Sequence, residues 1–364
     1  MSHHKQGSMM SSQRVHRIFA LLKGGMLLCA LMLFASCFED CQPPFPPISQ
    51  IDKFRVLAIK SEPPELAPGE TAQLSFLAMN PDGAFKAGTF SCDKPQALWV
   101  ACLPMLGPGN SNASCTGLAS GGFDGGAPDG GVPDGGNPFG SVTLCPASMD
   151  ANRTESLVCL PGFPPCGETI RWTVPKGFLD PLKTTEEKEK GADALLILTA
   201  SYDGLQQISL KNVLISSKTE ENRNHNPKIT GFLADEKSIT SCMPGEADKC
   251  DEITVPIGGK LKIKAEIDPA SQDELTSTVD GVKFKEDIQI LWYATEGEFD
   301  RSASIFSGKN PPQHTEDPYW YPNDFRGQAL KEGLQVNIVA IARDRRGGFD
   351  WRMIRVKVGP KASP

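Results

Sequence analysis

The feature that most restricts what this chain can fold into is its division into short apolar runs by glycine, proline, asparagine and aspartate. Runs of about four to eight residues rich in β-branched and aromatic side chains are typical of strands, and the residues between them are typical of turns. In residues 260–267 every second residue is apolar and the others are lysine or glutamate. This alternation predicts a half-buried strand, and the whole series of runs predicts an all-β protein.

The same order of runs occurs twice along the chain. A tryptophan-containing run at residues 97–102 and a second one at 169–175 have counterparts at 288–294 and 319–322. Repetition of this kind predicts two tandem domains of one architecture. About seven short strands in each half, with a tryptophan in the third, favour an immunoglobulin-like β-sandwich.

The runs place the first sandwich at residues 53–217 and the second at 228–360, with a polar linker at 218–227 between them. The strands resemble those of bacterial surface lipoproteins that carry tandem immunoglobulin-like or PKD-like domains. This resemblance covers residues 50–217 and 228–360, and it depends on the pattern of strands rather than on an invariant motif. It implies an envelope protein built from two β-sandwiches.

Residues 1–36 predict a secretory signal peptide. Basic residues precede an apolar run from Gly24 to Ala35, and small residues end it, which is the usual order of a signal peptide. The run is shorter than the roughly 20 apolar residues of a transmembrane helix. We therefore expect the leader to be cleaved, and an uncleaved membrane anchor is the alternative.

Residues 33–37, with the sequence Leu-Phe-Ala-Ser-Cys, resemble the lipobox of bacterial lipoproteins, although Phe34 stands where the usual motif has leucine. The resemblance implies that lipid is attached to the thiol of Cys37 and that residues 1–36 are removed. The lipid would hold the protein at a membrane. Phe38 after the cysteine resembles the sorting pattern of outer-membrane lipoproteins, which implies an outer-membrane location. A secreted protein without lipid is the alternative.

Two segments of the mature chain are unlike strands. Residues 37–52 contain a proline-rich run, which predicts an extended, semi-rigid tether. Residues from about 103 to 168 form a cysteine- and glycine-rich insert in the first domain, with Asp-Gly-Gly repeated at Asp124, Asp129 and Asp134. We expect this insert to be a disordered loop. Calcium binding is the alternative, but the acids are five residues apart and lack the closing glutamate of a calcium loop.

The cysteines indicate an oxidising compartment. Besides Cys37, the mature chain has nine cysteines, so at least one is free or pairs between chains, and Cys41 in the tether is the candidate. Cys242 and Cys250 are close in sequence and predict a local disulfide. We expect no metal site, because zinc sites usually have a Cys-x-x-Cys spacing that this chain lacks. The disulfide candidates are Cys92, Cys102, Cys115, Cys145, Cys159, Cys166, Cys242 and Cys250.

Charge and motifs argue against several function classes. The net charge of −7 becomes −11 without the leader, because residues 1–36 contain four basic and no acidic residues. An acidic chain without a large basic cluster lacks the electrostatic attraction that nucleic acid binding needs. The sequence has no phosphate-binding loop and no nucleophile elbow. We therefore expect no cofactor and no enzymatic activity; a pair of carboxylates in a cleft is the enzymatic alternative.

A structural or protein-interaction role in the cell envelope is the main hypothesis. The partner would be an envelope protein, with an adhesin-type glycan-binding surface as the alternative. Tyr319 and Tyr321 are the candidate glycan contacts, since the repeat aligns Trp320 between them with Trp172 of the first core. Residues 344–348 form a charged turn between the last two predicted strands and are a candidate contact loop.

Overall fold

The structure is a computed structural model that describes residues 47–91, 95–102, 167–276, 281–307, 313–324 and 326–361. These residues belong to one compact unit that begins at Pro47. Within these ranges no helix is long and apolar enough to span a membrane. The predicted signal peptide, the proposed lipidation site and nearly all of the predicted insert lie outside the described residues.

The first domain is a sandwich of two sheets. One sheet has the order β1-β3-β4, with β6 paired to β3, and the other has the order β2-β8-β7-β5. The prolines after β1 move the chain from the first sheet to the edge of the second, where β2 runs parallel to β8, as expected for a proline-bounded edge segment. The elements are β1 (Arg55–Glu62), β2 (Glu65–Leu66), β3 (Thr71–Asn80), β4 (Gly83–Ala84), β5 (Gln96–Cys102), β6 (Thr169–Thr173), α1 (Thr185–Lys190), β7 (Ala192–Tyr202) and β8 (Leu205–Ile215).

The second domain has the same plan. Its sheets have the orders β10-β9-β12-β19-β16 and β11-β21-β20-β15-β17-β18, and β13 and β14 form a separate hairpin. The prediction of two immunoglobulin-like sandwiches in an all-β chain is therefore confirmed. The strands are β9 (Ile229–Ala234), β10 (Lys237–Ile239), β11 (Glu252–Pro256), β12 (Leu261–Ile267), β13 (Glu274–Thr276), β14 (Lys283–Lys285), β15 (Ile288–Ala294), β16 (Glu298–Phe299), β17 (Ala303–Ser307), β18 (Gln313–His314), β19 (Tyr319–Tyr321), β20 (Gln335–Arg343) and β21 (Phe349–Gly359).

Each sandwich is packed around two buried tryptophans. Trp99 and Trp172 lie in the first core, and Trp292 and Trp320 lie in the second. The Trp99 Nε1–H donates to Gly167 O at 2.9 Å, and the Trp320 Nε1–H donates to Glu296 O at 3.1 Å. These bonds satisfy the polar group of a ring that is otherwise apolar. The alignment of Trp320 with Trp172 in the repeated sequence pattern is confirmed.

A third apolar core lies between the two sandwiches. The sequence predicted two domains joined by a linker, but the two domains instead pack sheet against sheet. In β3, Leu74 and Phe76 face the first core while Leu77 and Met79 face the shared core, and β20 is divided in the same way. Strands buried on both faces have continuous apolar sequences. The members of the shared core are Ile51, Ala58, Leu77, Met79, Cys242, Val339, Ile341, Trp351 and Met353.

The start of the folded unit corrects the predicted tether, which was placed at residues 37–52. The Ile51 N–H donates to Ala294 O at 2.8 Å, and the Ala294 N–H donates to Ser49 O at 2.9 Å. Ile51 is completely buried in the shared core. The last residues of the predicted tether are therefore part of the folded body. Burying the apolar side chain of Ile51 lowers the free energy, and an extended, solvated segment would leave that side chain in water.

Candidate interaction surface

The sheet β2-β8-β7-β5 of the first domain presents an unusual outer face. Strand register places Leu98 beside Thr199 and Val100 beside Ile197. It also places Ile197 beside Leu210 and Thr199 beside Ile208. Side chains of neighbouring strands at paired positions lie on the same face of a sheet. The outer apolar face is defined here as Leu98, Val100, Leu195, Ile197, Ile208 and Leu210.

The outer apolar face is exposed most strongly along β8. Leu210 is 65% exposed and Ile208 is 48% exposed, whereas the other four members are half-buried. Uncharged polar residues border this face. Gln96, Ser201 and Gln206 are paired across the three strands on one side of it, and Asn212 is paired with Leu195 on the other. An apolar centre with a polar rim is the usual anatomy of a protein interaction surface.

The side chains of β8 explain why this face is apolar. Val213 and Ile215 point inward and are completely buried in the first core. Because side chains alternate along a strand, Lys211 also points inward, and Ile208 and Leu210 point outward. Lys211 is tolerated inside because its ammonium group has partners in the second domain.

The inward side chain of Lys211 joins β8 to the turn between β20 and β21. Its ammonium group donates to Gly347 O and lies 4.3 Å from the centre of the Phe349 ring. Burial lowers the pKa of Lys211 to about 8, and the nearby carboxylate of Asp344 partly opposes this shift. The lysine thus binds the second domain by a hydrogen bond and a cation–π contact.

The second half of the predicted linker at 218–227 packs into this junction, where Asn224 and Pro227 are buried, while residues 219–222 are exposed. Asn224 donates its backbone N–H to Glu65 Oε2 of the first domain at 2.8 Å and its side-chain N–H to Asp344 Oδ2 of the second at 3.0 Å. Asn226 donates to Ser61 O at 2.9 Å and accepts from the Phe349 N–H at 2.8 Å. The linker therefore holds both domains through specific hydrogen bonds.

A cluster of ion pairs completes the junction on the side of the second domain. Arg346 pairs with Asp273 and with Glu286, the latter at 3.2 Å. Burial raises the pKa of Glu286, and Arg346 opposes that shift. The backbone N–H and Nδ1 of His225 contact the carboxylate of Asp273 at 3.0 and 2.9 Å. The charged turn predicted as a contact loop at 344–348 therefore contacts the first domain and the linker.

The structure places two of the predicted disulfide cysteines together. Cys242 and Cys250 form a disulfide with their Cα atoms 5.0 Å apart. The loop that contains them lies against the first domain, because a Cβ atom at Gly245 would clash with the backbone oxygen of Phe85. Cys102 is the last residue of β5. The remaining cysteine predictions lie outside the described residues, and these are Cys37, Cys41, Cys92, Cys115, Cys145, Cys159 and Cys166.

The two candidate glycan contacts flank a buried tryptophan on β19. Tyr319 and Tyr321 are half-buried and point to the face opposite Trp320. The ammonium group of Lys260 lies 4.1 Å from the centre of the Tyr319 ring, so one face of that ring is already occupied.

The described part of the chain contains acidic side chains whose pKa is raised. Within that part of the chain, no group of three histidine, cysteine, aspartate or glutamate side chains is placed to hold a metal ion. Burial raises the pKa of Glu296 and of Asp317, and nearby lysines oppose the shift at Asp317. Glu296 accepts a hydrogen bond from Gln50, and the nearby carboxylate of Asp324 raises its pKa further, whereas Asp317 lies beside Lys262.

Sequence reasoning did not find the outer apolar face or the junction. The signal for the face was present in β5, β7 and β8, whose outward positions are apolar like their inward ones. The signal for the junction was the pair of continuous apolar runs at residues 76–79 and 338–342. Such runs indicate strands that are covered on both faces.

No protein-family model matches this chain, and no curated protein sequence matches it. Among solved structures, the chain is similar to dimeric latent PorU from Porphyromonas gingivalis, with 11% identity, a TM-score of 0.20, and coverage of 86% of this chain and 25% of that one. It is also similar to trypsin-activated alpha-2-macroglobulin from Escherichia coli, with 8% identity, a TM-score of 0.20, and coverage of 86% and 18%. The chain spans a quarter or less of either protein, and similarities this weak carry no argument about function.

Proposed function

We propose that this chain is a non-enzymatic lipoprotein of the cell envelope whose two-domain body is a protein-interaction module. Lipid on Cys37 would hold it at the outer membrane, and the outer apolar face would bind an envelope protein. The observation that carries this proposal is the exposure of Ile208 and Leu210 on the β8 side of that face. Soluble proteins rarely leave a continuous apolar patch open unless a partner covers it.

The shared core makes the two-domain body rigid, which supports a structural role for it. Apolar packing between the sheets, together with the hydrogen bonds of Asn224 and Asn226, fixes one sandwich against the other. A rigid body holds a binding face at a constant orientation to its anchor, so the face loses little conformational entropy when it binds. Interfaces between domains that are large and apolar allow little relative motion.

Photo-crosslinking in living cells tests the proposal. A photoreactive amino acid at position 210 is expected to give one discrete adduct, because a bound partner would lie within a few ångströms of that side chain. The matched control carries the same amino acid at Lys331, which is exposed on the second domain. The Cys37→Ala form, also labelled at 210, is expected to lose the adduct because it is not anchored.

Two results would count against the proposal. Equal adducts from positions 210 and 331 would show that the outer apolar face has no preferred partner. Absence of any adduct at 210 in a correctly anchored protein would show that the face is open in the cell. Retention of the adduct in the Cys37→Ala form would show that the partner binds this face without the lipid anchor.

A further inference from the structure

The larger sheet of the second domain is only partly covered by the first domain. One row of its outer face crosses four strands, since Ile305 pairs with Gln289, Gln289 with Arg343, and Arg343 with Phe349. Next to this row, Ile341 and Trp351 are buried in the shared core. This half-buried row lines a cleft of about 440 Å³, a volume within the usual range for small-ligand sites.

Two guanidinium groups line this cleft. Arg343 lines the cleft, and its Nε–H donates to Gln289 Oε1 at 2.8 Å, which restrains the side chain. Arg345 lies in the wall and is exposed. Within the described ranges Arg345 makes no hydrogen bond or ion pair. Guanidinium groups offer paired N–H donors that match the two oxygens of a carboxylate.

The other lining residues restrict the ligand. Asp344 is directed away, because its two oxygens accept from the Arg346 and Gly348 N–H groups and from Asn224. Asp287 also lines the cleft. The negative charge of a second lining carboxylate, Asp287, disfavours a dianion such as phosphate more than a monoanion by like-charge repulsion. The apolar side chains of Ile305 and Phe349 favour a ligand with an apolar group beside its charge.

We infer that this cleft binds a peptide C terminus, with the terminal carboxylate on Arg343 and Arg345 and an apolar last side chain against Ile305 and Phe349. This inference does not depend on the proposed function, since it concerns a different face of the molecule. It assigns a ligand class to the charged turn that the sequence singled out.

Nuclear magnetic resonance of the purified full-length chain, with ¹⁵N-labelled arginine, tests this inference. The probe is the peptide acetyl-Ala-Ala-Phe with a free C terminus. It is expected to shift the Nε–H signals of Arg343 and Arg345 saturably. The same peptide with a C-terminal amide is expected to bind at least about tenfold more weakly, because it loses the charge-assisted bonds to the guanidinium groups. Inorganic phosphate is expected to give weaker shifts than the free peptide.

Two arginine substitutions test whether the peptide binds in this cleft. Arg345→Ala is expected to fold normally, because Arg345 is exposed, and to lose peptide binding. Arg171→Ala removes an exposed arginine of β6 and is expected to bind like the unchanged protein. Equal binding of the free and amidated peptides, tighter binding of phosphate, or unchanged binding in Arg345→Ala would overturn the inference. So would the absence of saturable shifts at Arg343 and Arg345.

Discussion

The side chain of Asn224 donates a hydrogen bond of 3.0 Å to Asp344, and both residues are buried. The same asparagine donates its backbone N–H to Glu65 of the first domain. One linker residue therefore bridges both sandwiches. Hydrogen bonds between buried groups contribute little net energy when formed but are costly when one partner is removed.

Asn224→Ala is expected to destabilise the protein by about 1–3 kcal/mol, because Asp344 would keep a buried oxygen without its donor. The measurement is urea unfolding followed by tryptophan fluorescence. Asn222→Ala is the control, since Asn222 is exposed and bonds only to Thr219 in the same turn, and it is expected to change stability by less than about 0.5 kcal/mol. Equal effects of the two substitutions would contradict the role of Asn224.

Removing the disulfide with Cys242→Ser and Cys250→Ser is expected to cost about 2–3 kcal/mol for a loop of this length. The loop contacts Phe85 of the first domain, so its loosening is expected to increase amide hydrogen exchange near residues 84–86 as well as in the loop itself. Gly245→Ala, which forces a side chain toward Phe85 O, is expected to disturb the same region with the disulfide intact. Exchange that rises only within residues 242–250 would show that the loop does not hold the first domain.

Because of Lys211, the free energy of unfolding is expected to depend on pH in the alkaline range. Its pKa falls from 10.5 to about 8 in the folded protein because of burial. The unfolded chain therefore binds the proton more tightly, and the free energy of unfolding is expected to rise between about pH 8 and pH 10.5 as the folded lysine becomes neutral. Below pH 8 both states are protonated and the contribution is constant.

The check is urea unfolding at intervals from pH 7 to pH 10 in the unchanged protein and in Lys211→Met. Asp344, the Gly347 carbonyl and the Phe349 ring face the ammonium group and are present in both proteins. The difference between the two stability curves is expected to grow with pH by up to about 3 kcal/mol. Parallel curves would show that Lys211 titrates normally.

Two substitutions on one strand test which face of β8 is outward. Leu210→Glu changes an exposed side chain of the outer apolar face and is expected to alter the free energy of unfolding by less than about 0.5 kcal/mol. Ile215→Ala removes a completely buried side chain of the first core and is expected to cost about 2–5 kcal/mol. A large decrease in the free energy of unfolding for Leu210→Glu, without one for Ile215→Ala, would show that Leu210 packs against other residues of this chain and is not exposed.

Alternation and turn residues were enough to predict the strands and the two sandwiches. The run at 260–267 became β12, and the prolines after β1 ended that strand. Alternation alone misleads in β8, where Ile208, Leu210 and Lys211 suggest an apolar inward face and a charged outward one. The structure has the opposite arrangement, because Val213 and Ile215 set the register and Lys211 is satisfied by the second domain.

The junction was harder to predict for a physical reason. Polar residues such as Asn224 and Asn226 are typical of solvated linkers, and nothing local indicates that they bond to both domains. Their partners, Glu65, Ser61 and Phe349, are more than 100 positions away in sequence. Only the three-dimensional packing of two sheets brings them together.

Sedimentation velocity of the detergent-extracted protein is the sharpest test of the proposal that the outer apolar face binds a partner in the envelope. The double variant Ile208→Glu, Leu210→Glu is compared with the unchanged chain, both expressed from the native locus. We predict that the unchanged chain sediments as a complex larger than a detergent-bound monomer, and that the variant is folded, anchored and monomeric. Identical sedimentation of the two proteins would contradict the proposal.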